Sequence, residues 1–170
     1  IHGYSWIQPL DKPALLKLAE PVPSGPSISA LEAIAVEFQT VVMAGLFERD
    51  TQDRVWNTYV TVSSDGFVAK FSKIHPFVNP HLSAGSEYQV IDLLGCKVGF
   101  LICYDNNLPE NVRLTAMLGA EIIIMPHVTG CLPSVMPGRG VVERALWDRR
   151  HEDPVRLRQE FQGPKGREWL

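Results

Sequence analysis

Three residues with complementary chemistry each end an apolar stretch of this sequence. Glu48 ends the run VVMAGLFE, Lys73 ends GFVAKFSK, and Cys103 ends GFLIC. In α/β sheets, ligands collect beyond the carboxyl ends of strands. If these three strands are neighbours that point the same way, a carboxylate, an ammonium and a thiol converge in one cleft. The sequence therefore predicts a catalytic site built from these three residues.

This combination is suited to nucleophilic attack at a carbonyl carbon. A thiol reacts as thiolate, and its reference pKa of about 8.5 falls near a cation or a helix N-terminus. Lys73 would supply the charge and stabilise the oxyanion, with the backbone N–H of Tyr104 as second donor. Glu48 would accept the thiol proton and return it to a leaving amine. We expect His127, which follows a buried strand, to line the pocket; simple loop packing is its alternative.

The pattern of apolar residues predicts the elements that position this site. A helix after Ser29, an Asp-Gly hairpin turn and a strand, helix, strand order with a parallel pair indicate a mixed α/β sheet. Asn107 to Glu110 resembles a capping box, and Gly119 suits a left-handed helix end. The run 41–48 is apolar enough for a central strand covered on both faces. The predicted helices are 30–38 and 108–118, and the predicted strands are 41–48, 55–62, 66–71, 87–93, 97–103 and 119–126.

Three motifs carry a resemblance to a known family. MAGLFERD, FSKIHPF and GFLICYDNNLPE, in that order, resemble the signature regions of the nitrilase superfamily, the carbon-nitrogen hydrolases with a glutamate-lysine-cysteine triad. The similarity runs over roughly residues 25–130. It implies an α-β-β-α sandwich with mixed sheets, a homodimer or larger homo-oligomer packed through helices, and no metal or organic cofactor. It assigns Glu48 as general base, Lys73 as oxyanion stabiliser and Cys103 as nucleophile.

The residues around the cysteine suggest the branch of the family. Cys103-Tyr104-Asp105 looks like the amidase and carbamoylase branches, which implies hydrolysis of a small amide or N-carbamoyl compound through a cysteine acyl-enzyme. The partners would be that small molecule and water. Alternatives are a nitrilase acting on a small nitrile, an acyltransferase, or a non-catalytic assembly module that keeps the motif. His75 and His127 also admit a cysteine-histidine protease.

Some features depart from the family pattern. His81 stands where family members often carry a second glutamate, and Glu87 is the nearest later carboxylate. Residues 131–165 look longer than the usual connection, which predicts an insertion or lid. Both ends look incomplete, so we expect residues 1–170 to form a single incomplete carbon-nitrogen hydrolase domain.

Composition narrows the remaining classes. The chain has 170 residues, of which 45% are hydrophobic and 21% charged, as in one globular domain. A net charge of −3 without a long run of one sign predicts no nucleic acid and no membrane among the partners. Three cysteines without CxxC spacing argue against a disulfide framework or a zinc ribbon. They suit a reducing compartment, so we expect a cytoplasmic protein.

Overall fold

A computed structural model of the chain describes residues 7–127. The predicted mixed α/β architecture is confirmed. None of the helices in this part of the chain has both the length and the hydropathy of a bilayer-spanning segment. The predicted insertion at 131–165 lies outside the described residues. The helices are α1 (Lys12–Leu18), α2 (Pro26–Phe38) and α3 (Pro109–Met117), and the strands are β1 (Val42–Arg49), β2 (Val55–Ser63), β3 (Gly66–Ser72), β4 (Leu82–Ser83), β5 (Val90–Leu93), β6 (Cys96–Phe100) and β7 (Ile122–Ile124).

The first sheet is built on the predicted hairpin. β2 pairs antiparallel with β3, and Ser63 lies opposite Gly66 at the turn. Gly66 has φ of 113°, a conformation that glycine adopts without steric cost. β1 pairs antiparallel with the other edge of β2, and the short β4 pairs parallel with the start of β2. In the described part of the chain β2 is thus the central strand, and β1, predicted to be central, lies at one end of the order.

The second sheet contains the predicted parallel pair. β5 and β6 form a hairpin, and β6 pairs parallel with β7 after the chain has passed through α3. α3 packs on β6 at Gly99, where an added Cβ would lie 2.3 Å from the Thr115 side chain. Only glycine permits this close approach of helix and strand.

Four layers are stacked around these two sheets. One face of the first sheet buries Leu46 and Val60 against Ile28 and Leu31 of α2. Its other face packs on the second sheet, where Phe71 joins a cluster of β6 residues and their neighbours. Because α3 covers the far side of β6, the order is α, β, β, α. The predicted sandwich is confirmed.

Three local predictions were wrong. α2 begins at Pro26 rather than at Ala30, so Ser29 lies inside the helix. Gly25 is the N-cap, and the carboxylate of Glu20 accepts hydrogen bonds from the Ser27 amide at 2.8 Å and hydroxyl at 2.5 Å in the first turn. α3 has Leu108 as its N-cap without a side-chain cap, so the capping box does not form. The strand predicted to reach Cys103 ends at Phe100.

Candidate active site

Cys103 lies on a turn of unusual backbone conformation beyond the end of β6. It is the first residue of a 3₁₀ helix, Cys103–Asn107, and its φ is 52°. Such a left-handed conformation costs a non-glycine residue about 1 to 3 kcal/mol and persists only where the surroundings fix it. The Cys103 amide is held by the carbonyl of Pro126 at 2.9 Å. The half-buried thiol is therefore presented by a constrained turn.

Lys73 reaches this turn from the first sheet. It follows the last residue of β3, and its amide still bonds the carbonyl of Asn57 at 2.8 Å. Its side chain is fully buried, and the ammonium donates a hydrogen bond to the carbonyl of Ile102, the residue before the cysteine. The carbonyl of Lys73 accepts a 2.8 Å hydrogen bond from Gly85, which fixes the start of the following loop.

The charge of Lys73 depends on the residues around the turn. Burial lowers the pKa of Lys73, because a low-dielectric interior disfavours the ammonium. The negative charges of Asp105 and of the Cys103 thiolate oppose this effect and raise its pKa. The predicted encounter of lysine and cysteine is thus present in the structure.

Asp105 organises the turn. Its carboxylate is completely buried and accepts hydrogen bonds from three backbone amides, those of Ile102 at 3.2 Å, Ile74 at 3.2 Å and His75 at 2.8 Å. Two of these donors belong to the segment directly after Lys73. The contact spans some thirty positions of sequence, and only the polar cluster after Cys103 could have indicated it.

Glu48 does not join the other two predicted residues. Its carboxylate is 4% exposed, accepts a 2.9 Å hydrogen bond from the Thr58 hydroxyl, and pairs with the ammonium of Lys70. It shares the sheet face of Leu46, which packs on α2. Lys73 continues the opposite face, which packs on the second sheet. The contacts bring Lys73 and Cys103 together and hold Glu48 on the other side of the first sheet.

A cavity of about 390 Å³ lies on the Glu48 side. Acidic and basic side chains line it together, with Asp50 and Arg54 forming an ion pair at 2.6 Å. Arg54 also stacks over the ring of Trp56 at 5.2 Å. Glu87, the first carboxylate in the sequence after His81, also lines this cavity.

The remaining candidates lie around the cysteine turn or the loop after Lys73. The Tyr104 ring is 42% exposed and meets Phe77 edge-on, with 5.3 Å between ring centres. His127 is exposed and its Nε2 lies 2.6 Å from the Asn106 amide nitrogen. His81, at the position of the second glutamate, binds Asn79 Oδ1 through its backbone amide at 2.9 Å. Between residues 7 and 127 no group of three or more His, Cys, Asp or Glu is arranged to hold a metal ion.

The structure thus sets a buried lysine against a cysteine turn in a four-layer α/β sandwich. Residues 1–152 match the family model described as carbon-nitrogen hydrolase, and the chain belongs to this family. The family resemblance seen in the sequence motifs is thereby confirmed.

Relatives and solved structures agree with this assignment. A nitrilase from Pyrococcus abyssi is 32% identical over 132 residues, which cover 75% of this chain and 50% of the relative. An (R)-stereoselective amidase from a Pseudomonas species is 34% identical over 115 residues, covering 66% and 41% of the two chains. Saccharomyces cerevisiae Nit3, a member of the nitrilase superfamily, superimposes with a TM-score of 0.61 at 29% identity, covering 70% and 46% of the chains. The chain spans half the length of these relatives or less.

Proposed function

We propose that this protein hydrolyses a non-peptide carbon-nitrogen bond in a small amide or N-carbamoyl compound, with Cys103 as nucleophile and Lys73 as oxyanion stabiliser. The observation that carries this proposal is the buried ammonium of Lys73, which is bonded to the carbonyl of Ile102 beside the cysteine. Family membership supports the same class of reaction.

The chemistry follows from this pair. The Cys103 thiolate attacks the carbonyl carbon, and the charge that develops on oxygen is stabilised by Lys73 and the Tyr104 amide. The carbon-nitrogen bond then breaks, the amine leaves with a proton, and a thioester remains on Cys103. Water attacks the thioester, releases the acid and restores the thiol. Tyr104 and His127 are proposed as walls of the substrate pocket.

The general base is the part of the predicted triad that the contacts do not support. In this proposal Cys103 attacks as a thiolate beside the Lys73 ammonium, so attack does not require Glu48 to remove the proton. Water is then the acid that protonates the leaving amine, and the hydroxide so formed attacks the thioester. The contacts of Glu48 with Thr58 and Lys70 favour a structural role for it, and a Glu48→Gln variant tests this assignment.

A second candidate is hydrolysis of a small nitrile. The 32% identity with the Pyrococcus abyssi nitrilase favours it, whereas the 34% identity with the Pseudomonas amidase favours amides. Attack on a nitrile would give a thioimidate at Cys103, and water would release the nitrogen as ammonia before the thioester is hydrolysed. The Cys103-Tyr104-Asp105 sequence supports the amide.

Paired substrates separate these candidates. The protein is incubated with short aliphatic and aromatic amides and with the nitriles of the same carbon skeleton, and acid and ammonia are quantified. We expect amides to give equimolar acid and ammonia, and Cys103→Ala to give neither. Mass spectrometry of acid-quenched protein should show the acyl group on Cys103. Turnover of nitriles alone would replace the proposal with the second candidate.

A different measurement tests whether the protein is a non-catalytic assembly module. Iodoacetamide alkylation of Cys103 across pH reports the thiolate without any substrate. An activated thiol reacts well below pH 8 and loses this behaviour in Lys73→Ala. Reactivity equal to that of an ordinary cysteine would favour the inert alternative.

We also propose a cytoplasmic homodimer or larger homo-oligomer assembled through helices. α3 supports this, because Leu114, Met117 and Leu118 are 42%, 71% and 55% exposed. Light scattering after gel filtration tests it: Met117→Lys should shift the mass toward the monomer, and a monomeric parent protein would contradict the proposal.

A further inference from the structure

Asp105 joins the two chain segments that carry the proposed catalytic pair. Its carboxylate accepts a hydrogen bond from Ile102, directly before Cys103, and two more from Ile74 and His75, directly after Lys73. The same carboxylate lies 3.9 Å from the Lys73 ammonium, and both side chains have no exposed surface. One buried anion thus contacts both halves of the site.

We propose that Asp105 is a positioning residue that keeps Lys73 charged and aligned against Cys103. This inference rests on the proposed function. Asp105 acts through Lys73 and the backbone of the turn, and it does not itself touch the reacting atoms.

The electrostatic argument starts from the cost of a buried cation. An ammonium without an anionic partner in the interior loses its proton. Among residues 7–127, the ionisable groups that act on Lys73 are Asp105 and Cys103, both from the turn, whereas β2 contributes the uncharged Asn57. When Cys103 is acylated its thiolate charge is gone. Asp105 is then the anion that keeps Lys73 protonated for the second oxyanion.

The turn itself is anchored to α3. The Asn111 side-chain amide donates to the carbonyl of Asp105 at 2.8 Å, and its oxygen accepts from the Tyr88 hydroxyl at 2.6 Å. Asn111 is 3% exposed, so this support is buried. Asp105 is therefore fixed at both its carboxylate and its carbonyl, which suits a residue that must hold the left-handed Cys103 in place.

The test is the pH profile of Cys103 alkylation by iodoacetamide in Asp105→Asn, alone and combined with Lys73→Ala. Asparagine keeps the size but removes the charge and one acceptor. We expect the rate at pH 7 to fall at least about tenfold and the profile to move to higher pH by about one unit. The double variant should match Lys73→Ala. Asp92→Asn, which removes an exposed partner of Lys97, is the matched control and should leave the profile unchanged.

Several outcomes would overturn the inference. The first condition is that Asp105→Asn keeps the native circular dichroism spectrum. The inference is then wrong if its alkylation profile is unchanged or moves to lower pH. It is also wrong if the double variant reacts more slowly than Lys73→Ala, because Asp105 would then act independently of Lys73. If Asp105→Asn does not fold, the ¹³Cε chemical shift of Lys73 in the parent protein reports whether this lysine is charged. A neutral Lys73 at pH 7 contradicts the proposal, and a charged one supports it. Because neither readout requires turnover, failure of the proposed function would be recognised separately by the substrate assay.

Discussion

The carboxylate of Glu48 is paired with Lys70, three residues before the lysine that faces Cys103. Lys70 and Lys73 therefore serve different partners on opposite faces of the first sheet. This division decides which carboxylate substitutions should affect the reaction.

Glu48→Gln should leave most of the activity intact. Glutamine can still accept a hydrogen bond from the Thr58 hydroxyl. The lost ion pair with the partly exposed Lys70 contributes only modestly to stability. We expect kcat to change by no more than a few-fold, measured by ammonia release. Lys70→Gln is the matched control and should behave in the same way. A decrease of a thousandfold or more in Glu48→Gln alone would restore Glu48 as the general base.

Lys73→Ala should abolish nearly all turnover. Removing one oxyanion donor costs about 2.7 to 4 kcal/mol of transition-state stabilisation, or roughly 10² to 10³ in kcat. Thermal stability should fall, because the variant leaves the buried Asp105 carboxylate without its cation and opens a cavity. Lys97→Ala removes an exposed lysine and serves as control. Wild-type kcat in Lys73→Ala would refute the assigned role.

Gly85→Ala should disturb the site through the backbone. An added Cβ would lie 2.2 Å from the Ser72 carbonyl oxygen and 3.2 Å from that of Lys73, so the loop must shift. We expect a loss of about 1 to 3 kcal/mol in the free energy of unfolding, with reduced activity. Gly45→Ala is the control, since the nearest atom to its added Cβ is a Tyr59 ring carbon at 3.8 Å. Equal effects in both variants would contradict this explanation.

Asp50 should make stability depend on pH in the acid range. Burial raises its pKa, but hydrogen bonds from Arg54, Gln52 and Trp56 outweigh that effect and lower the pKa to about 2. A carboxyl group with a lowered folded pKa stabilises the protein above its unfolded pKa of about 4, and this contribution disappears as pH falls toward 2. Asp50→Asn should cost about 1 kcal/mol at pH 7 and much less near pH 2.

Urea unfolding at pH 7, 4 and 3 measures this dependence. The difference between the parent protein and Asp50→Asn should shrink at each step toward acid. Asp92, whose side chain is 81% exposed, provides the control substitution. A difference that grows toward acid would reverse the sign and exclude the assigned hydrogen bonds.

The sequence predicted six of the seven described strands, the hairpin turn, the parallel pair and the meeting of Lys73 with Cys103, because these follow from local patterns and from the rule that sites lie beyond strand ends. It did not predict α1 or the short β4. It could not predict the face that Glu48 occupies. The run VVMAGLFE is apolar at successive positions, so alternation does not distinguish the two faces of the strand, and a shift by one residue exchanges them.

Contacts distant in sequence were also beyond prediction. Glu20 caps α2 from outside the helix, and Asp105 binds amides some thirty residues away. No local propensity encodes such pairs. The positive φ of Cys103 has the same origin, since the turn is imposed by its neighbours and cysteine has no preference for it.

A left-handed position with φ of 52° favours glycine, yet cysteine occupies it. Cys103→Gly should therefore be inactive but unfold at a higher temperature than Cys103→Ala. If the side chain at position 103 had no chemical role, glycine there would make the fold more stable. The presence of cysteine at this position therefore favours the proposed catalytic role over a purely structural one.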